Sequence, residues 1–84
     1  MTKSAKLYSY VTNNPRAALS FRDFEALLAA FGFIWDRTVG SHRQYVHPEV
    51  PRTLPVQPDG KDAKRYQVRQ FLDMIEAYNL SMNE

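Results

Sequence analysis

Gly32 separates two apolar patterns that cannot belong to the same kind of element. Before it, Phe21, Phe24, Leu27, Leu28 and Phe31 recur at steps of three and four, which makes one helical stripe. Ser20 stands where such a helix needs an N-cap, and Asp23 three residues on provides a weaker form of the capping box. Gly32 then occupies the left-handed C-cap position, with Phe33 placed to pack back on the helix. After Gly32 the pattern is extended. Phe33 to Arg37 reads as a strand, Thr38-Val39-Gly40 as a turn, and His42 to His47 as a second strand. Pro48-Glu49-Val50-Pro51 reads as another turn before a third strand, Arg52 to Gln57. Pro55 marks that strand as an edge or bulged one, because proline cannot donate to a ladder. Pro58-Asp59-Gly60 ends it, and a last helix from about Ala63 to Tyr78 shows Val68, Phe71, Leu72, Ile75 and Tyr78 on one face.

A further short helix is expected at the start, over residues 4–12, where Leu7, Tyr8 and Val11 fall at helical spacing and Asn13-Asn14-Pro15 stops them. The outcome is an α+β fold, with two amphipathic helices on one face of a three-stranded antiparallel sheet and the other face open to a partner. At 84 residues the chain makes one small domain, 1–84, close to the size at which a single core is only just sufficient. It has no cysteine, so disulfides and thiolate metal sites are excluded and the core rests on aromatics and leucine alone. No apolar run is long enough to span a bilayer and the N-terminus lacks a signal-peptide pattern, so the expected setting is cytoplasmic, with no membrane partner.

Charge is unevenly placed. Residues 37–69 carry seven basic groups (Arg37, Arg43, Arg52, Lys61, Lys64, Arg65, Arg69) against three acids, a net of +4, and the rest of the chain is net −2. The positive part contains Gly40-Ser41-His42, in which a flexible glycine and a small hydroxyl residue deliver a histidine to the start of a strand. Histidine both takes and gives a proton near neutral pH, and the arginines around it point to an anionic substrate such as a phosphate. Alternation along 42–47 puts His42, Gln44 and Val46 on one face and Arg43, Tyr45 and His47 on the other. Tyr45 is the residue best suited to face the helices, which leaves His42 on the open face. His47 lies five residues further on, roughly 16 Å along an extended strand, too far to pair with His42 on one phosphate. It reads as a strand-end residue with a satisfied hydrogen bond. No carboxylate stands at a metal-ligand spacing from either histidine, so no metal or other cofactor is expected.

Lys61, Lys64 and Arg65 fall just before and within the first turn of the last helix, where cations oppose the macrodipole unless an anion compensates. With Arg69 one turn on, they are candidates for gripping a phosphate backbone. A solvated surface partly neutralised by Asp59 and Asp62 is the competing reading.

Phe31-Gly32-Phe33, Arg37, Gly40-Ser41-His42, Tyr45 and His47-Pro48, followed by the proline-bounded third strand and Tyr66-Gln67-Val68-Arg69, resemble in order and spacing the HicA-type mRNA interferase toxins. The resemblance covers roughly residues 20–80. Residues 4–14 look like an added N-terminal helix found in only part of the family. The resemblance implies a fold like the double-stranded-RNA-binding domain, α-β-β-β-α. It implies cleavage of mRNA without a metal, by the histidine of Gly-Ser-His, here His42. It also implies a HicB-type antitoxin that covers the site and can form an oligomer with the toxin.

On that basis the expected mechanism is attack by a ribose 2′-hydroxyl on the adjacent phosphate, with His42 moving the proton. Arg37, Arg43 and Lys61 are the candidates to hold the phosphate. Gly40 lets the turn reach a positive φ or lets the RNA backbone come close. Ser41 orients the histidine or binds phosphate, or is a plain turn serine. Two other classes fit the same residues: an RNA-binding module without catalysis, and a protein-interaction domain that uses the open sheet face or the edge strand.

Overall fold

The computed structural model describes residues 3–14 and 16–82 of the chain. The stop expected at Pro15 lies outside the described residues. Helices α1 (Lys3–Asn13) and α2 (Phe21–Ala30) are followed by strands β1 (Ile34–Val39), β2 (His42–His47) and β3 (Val50–Val56). A small hairpin of β4 (Pro58–Asp59) and β5 (Asp62–Ala63) leads into α3 (Arg65–Tyr78). From α2 onward this is helix, three-stranded antiparallel sheet, helix, with α1 added in front.

Local chemistry sets the ends of α2. The Ser20 hydroxyl accepts from the Asp23 N–H at 3.1 Å, so one otherwise orphan donor is satisfied. At the other end Gly32 has φ 89°. Its N–H donates to the Ala29 carbonyl and that of Phe33 to the Leu28 carbonyl, at 3.0 and 2.9 Å. These two bonds form a Schellman motif, in which only a residue tolerant of positive φ fits. The reversal aims Phe33 back at the core, where it is buried.

The sheet runs β1-β2-β3. Its two hairpins are tighter than the sequence pattern indicated. β1 extends to Val39, which pairs with His42, so the connecting loop is Gly40-Ser41 alone. Gly40 takes φ 60° at the first loop position, as a two-residue type II′ connection requires. Likewise β3 starts at Val50, opposite His47, leaving only Pro48-Glu49 as loop. β1 gains its length from an extra residue: Trp35 pairs with Tyr45 and Arg37 with Gln44, so Asp36 is a bulge. Pro55 does lie on an edge strand, β3. Short β4 and β5, paired around Gly60 at φ 66°, fall where a plain turn was expected. The last helix accordingly begins at Arg65 rather than Ala63, with Lys64 as its N-cap.

Helices α2 and α3 lie on the sheet face that carries Tyr45, Leu54 and Val56, all buried. Phe71 of α3 is fully buried at the centre, its ring edge-on to Phe24, Phe31 and Phe33 with centroids 5.5–5.9 Å apart. α1 joins through Tyr8, 5.2 Å from the Phe31 ring, and through buried Val11. No helix among the described residues is long and apolar enough to cross a membrane.

Because Phe71 is fully buried and packs edge-on against three other core rings, Phe71→Ala is expected to cost about 3–5 kcal/mol. That is a large share of the stability of any domain this size, and urea denaturation of the variant should show the loss as a lowered midpoint.

Candidate nucleic-acid interface

The tight β1–β2 loop presents His42 as the first residue of β2, half-buried. Cross-strand partners share a face, so His42 stands with Val39, and two positions on Gln44 stands with Arg37 and Pro55. This is the face opposite Tyr45 and the helices. Among the described residues no hydrogen bond or ion pair engages the His42 ring. Arg37 is exposed, its Nε donating to the Asp36 carboxylate at 3.0 Å. A Cβ on Gly40 would meet nothing within 4 Å, so backbone conformation rather than crowding within the chain calls for glycine there.

His47 is placed quite differently. It is buried and its ring lies 5.0 Å from that of Phe33. The Glu49 N–H donates to Nδ1 at 3.0 Å, which leaves Nδ1 without a proton. Nε2 therefore carries the hydrogen and donates it to the Phe31 carbonyl at 2.9 Å. Both nitrogens are used, one bond closing the β2–β3 loop and the other tying β2 to the end of α2.

Arg43 points to the helix side. Its Nη1 donates to Glu25 Oε2 of α2 at 2.7 Å. The same oxygen accepts from the Tyr45 hydroxyl at 2.6 Å. The guanidinium lies over the Trp35 ring at 4.4 Å and the Phe21 ring at 5.3 Å. The Asp36 bulge brings Trp35 and Thr38 to one side, where the indole Nε1 donates to the Thr38 hydroxyl at 3.1 Å. Burial, and after it the Glu25 carboxylate, hold the Tyr45 phenol well above its ordinary value. Glu25 and Trp35 were not among the expected site residues. Glu25 was signalled by an acid set on the apolar stripe one turn after Phe21, a position that demands buried donors.

The second basic group splits. Lys61 sits in the β4–β5 loop, its carbonyl accepting from the Phe21 N–H at 2.9 Å. Since the Phe21 ring lies against Arg43, this loop is at the same end of the sheet as His42. Lys64 caps α3 without a side-chain bond. Arg65 and Arg69 line a groove between α3 and α1, and Arg69 also pairs with Asp73 at 3.5 Å. The buried Gln67 side chain accepts from the Gln57 N–H at 2.9 Å, which fixes the start of α3 to the end of β3. Among the described residues no three His, Asp or Glu side chains gather as a metal site would need.

The raised phenol predicts an alkaline signature. A group with its folded value above the unfolded one stabilises fully below the unfolded value, near pH 10 for tyrosine, and loses that contribution as pH rises further. Tyr45→Phe, which deletes a hydrogen bond to a carboxylate, is expected to cost about 1–3 kcal/mol at pH 7. The gap to the parent protein should narrow above about pH 10, as measured by urea unfolding from pH 7 upward.

Comparison with known proteins assigns the frame in which this site sits. Residues 21–76, two thirds of the chain from α2 into α3, match the family model described as the HicA toxin of bacterial toxin-antitoxin. No curated protein and no solved structure matches the chain. The chain belongs to the HicA toxin family.

Proposed function

For a HicA-family toxin, whose place in a toxin–antitoxin system implies an antitoxin partner, we propose that the activity is metal-independent cleavage of mRNA with His42 as the proton carrier. The observation that supports this most directly is the contrast between the two histidines. His47 has both ring nitrogens committed to the backbone, whereas the His42 ring is unengaged on the uncovered sheet face, beside a glycine turn.

The neutral His42 imidazole takes the proton of a ribose 2′-hydroxyl, and the 2′-oxygen attacks the adjacent phosphorus. The bond to the 5′-oxygen breaks, and that oxygen leaves with a proton from the imidazolium or from water. The products are a 2′,3′-cyclic phosphate and a free 5′-hydroxyl. Arg37 and Lys61 offset the developing charge of the cleaved phosphate. Ser41 and the backbone at Gly40 leave room for the strand to come close. Lys64, Arg65 and Arg69 hold phosphates further along. Arg43 acts by position: locked to Glu25, it keeps the start of β2 in place under its neighbour His42. A HicB-type antitoxin silences the toxin by covering His42, alone or in a larger assembly, and the setting of the pair is the cytoplasm.

His42→Ala should lower RNA cleavage at least 10²-fold with little change in melting temperature, since no hydrogen bond or ion pair holds the ring. The assay is RNA cleavage with chelator present, read on gels and by end-group analysis of the products. Equal cleavage by both proteins, or none by the parent, would exclude His42 catalysis. Binding of RNA by both without cleavage would instead identify a non-catalytic RNA module.

A further inference from the structure

α1 precedes the segment that matches the family model, yet it does more than cover the core. Between it and the first turns of α3 lies a groove of about 230 Å³. Val11, Leu19 and Leu72 make an apolar floor, and Tyr10 and Tyr66, one from each helix, line it while remaining 46% and 58% exposed. They are two of the five large apolar side chains that stay exposed among the described residues. The Asn14 side chain donates to the Tyr10 carbonyl at 2.9 Å, which closes the end of α1 at the groove.

Charge complements this shape. Arg65 and Arg69 line the groove and no acid does. Arg65 has no ion pair among the described residues. The Arg69–Asp73 pair is long, at 3.5 Å, and both side chains are mostly exposed, so a phosphate can replace the aspartate at little cost. The two arginines are four residues apart on one helix, about 6 Å along its axis, which is close to the step between neighbouring phosphates on an extended strand.

We propose that this groove is a subsite for one unpaired nucleotide of an RNA strand, its base stacked on Tyr10 and Tyr66 and its phosphates held by Arg65 and Arg69. Aromatic side chains stack on any exposed base, and arginine adds charge to the same plane. A groove of this size accepts a single flat base with its sugar. Arg65 and Tyr66 also border a neighbouring depression that Lys64 lines together with Asp59 and Asp62, so the acid-free groove is the better seat for phosphates. The groove receives a nucleotide other than the one that is cut, and α1 is the element that makes the toxin prefer single-stranded RNA. This inference rests on the proposal that the chain cleaves RNA.

The test uses His42→Ala protein, which leaves its ligand intact, and measures fluorescence anisotropy with a short single-stranded oligoribonucleotide and with an RNA duplex. Adding Tyr66→Ala or Tyr10→Ala should weaken single-strand binding about 10-fold and leave duplex binding unchanged. Tyr66→Phe, which keeps the ring, should restore it. Bromouridine in the single strand should crosslink to Tyr66 or Tyr10. Unchanged melting temperatures establish that the variants are folded. Equal single-strand affinity in all variants, with crosslinks elsewhere, overturns the groove while parent protein still cuts RNA. Shielding of Tyr66 from chemical modification by a protein partner, but not by RNA, overturns it too. Failure of folded parent protein to cut RNA overturns the cleavage reading itself, so the two failures are told apart.

Discussion

Everything in this fold is located relative to one phenyl ring. A chain of this size without a cysteine has no staple, and its elements hold together only as far as their apolar faces meet in one place. Phe71 supplies that place: α2 reaches it through Phe24 and Phe31, and the start of the sheet through Phe33. Once α2 is seated, Glu25 comes within reach of both Arg43 and Tyr45. Two consecutive inward positions of β2 are thereby pinned to a helix by one carboxylate. The residue just before the first of them is His42, so this end of the sheet inherits its position from the core through a short chain of contacts.

The two histidines show how strand alternation and burial divide labour between chemically identical groups. Odd positions of β2 face the helices and even positions face out. His47, on the inner side, becomes a backbone tie whose tautomer is dictated by an amide proton on one side and a carbonyl on the other. His42, on the outer side, keeps both nitrogens available. A shift of one residue in the register of β2 would exchange these roles. The bonds that His47 makes at the β2–β3 loop are among those that prevent the shift.

Periodicity carried most of the architecture, because the helices are governed by a single apolar stripe and two strong end signals, Ser20 and Gly32. Strand limits were less legible. The Asp36 bulge adds a residue that alternation alone cannot anticipate, and the β2–β3 loop is shortened by a His47–Glu49 bond that depends on the turn being formed already. The β4–β5 hairpin was hidden for a similar reason: a bridge from Ser20 to Asp62 and backbone bonds from Phe21 and to Leu19 support it, all long-range in sequence. At the site, the outward placement of His42 and the inward placement of Tyr45 follow from period two. The commitment of Arg43 to Glu25 does not, because nothing local marks which of several arginines a given acid will capture. The basic residues near α3 read as one cluster along the chain, but the hairpin carries Lys61 to one side and the helix turns Arg65 and Arg69 toward α1.

The two rims of the sheet carry a consequence for how this molecule meets others. One rim is β1, interrupted by the Asp36 bulge and an exposed Asp36–Arg37 pair. The other is β3, which contains Pro51 and Pro55 and so lacks two amide donors. Each device makes the rim a poor template for another strand. Association by extending the ladder is disfavoured on both sides, and with it edge-to-edge stacking of copies. Neighbours must engage side chains instead, which keeps a small sheet protein from seeding fibres along its own rims.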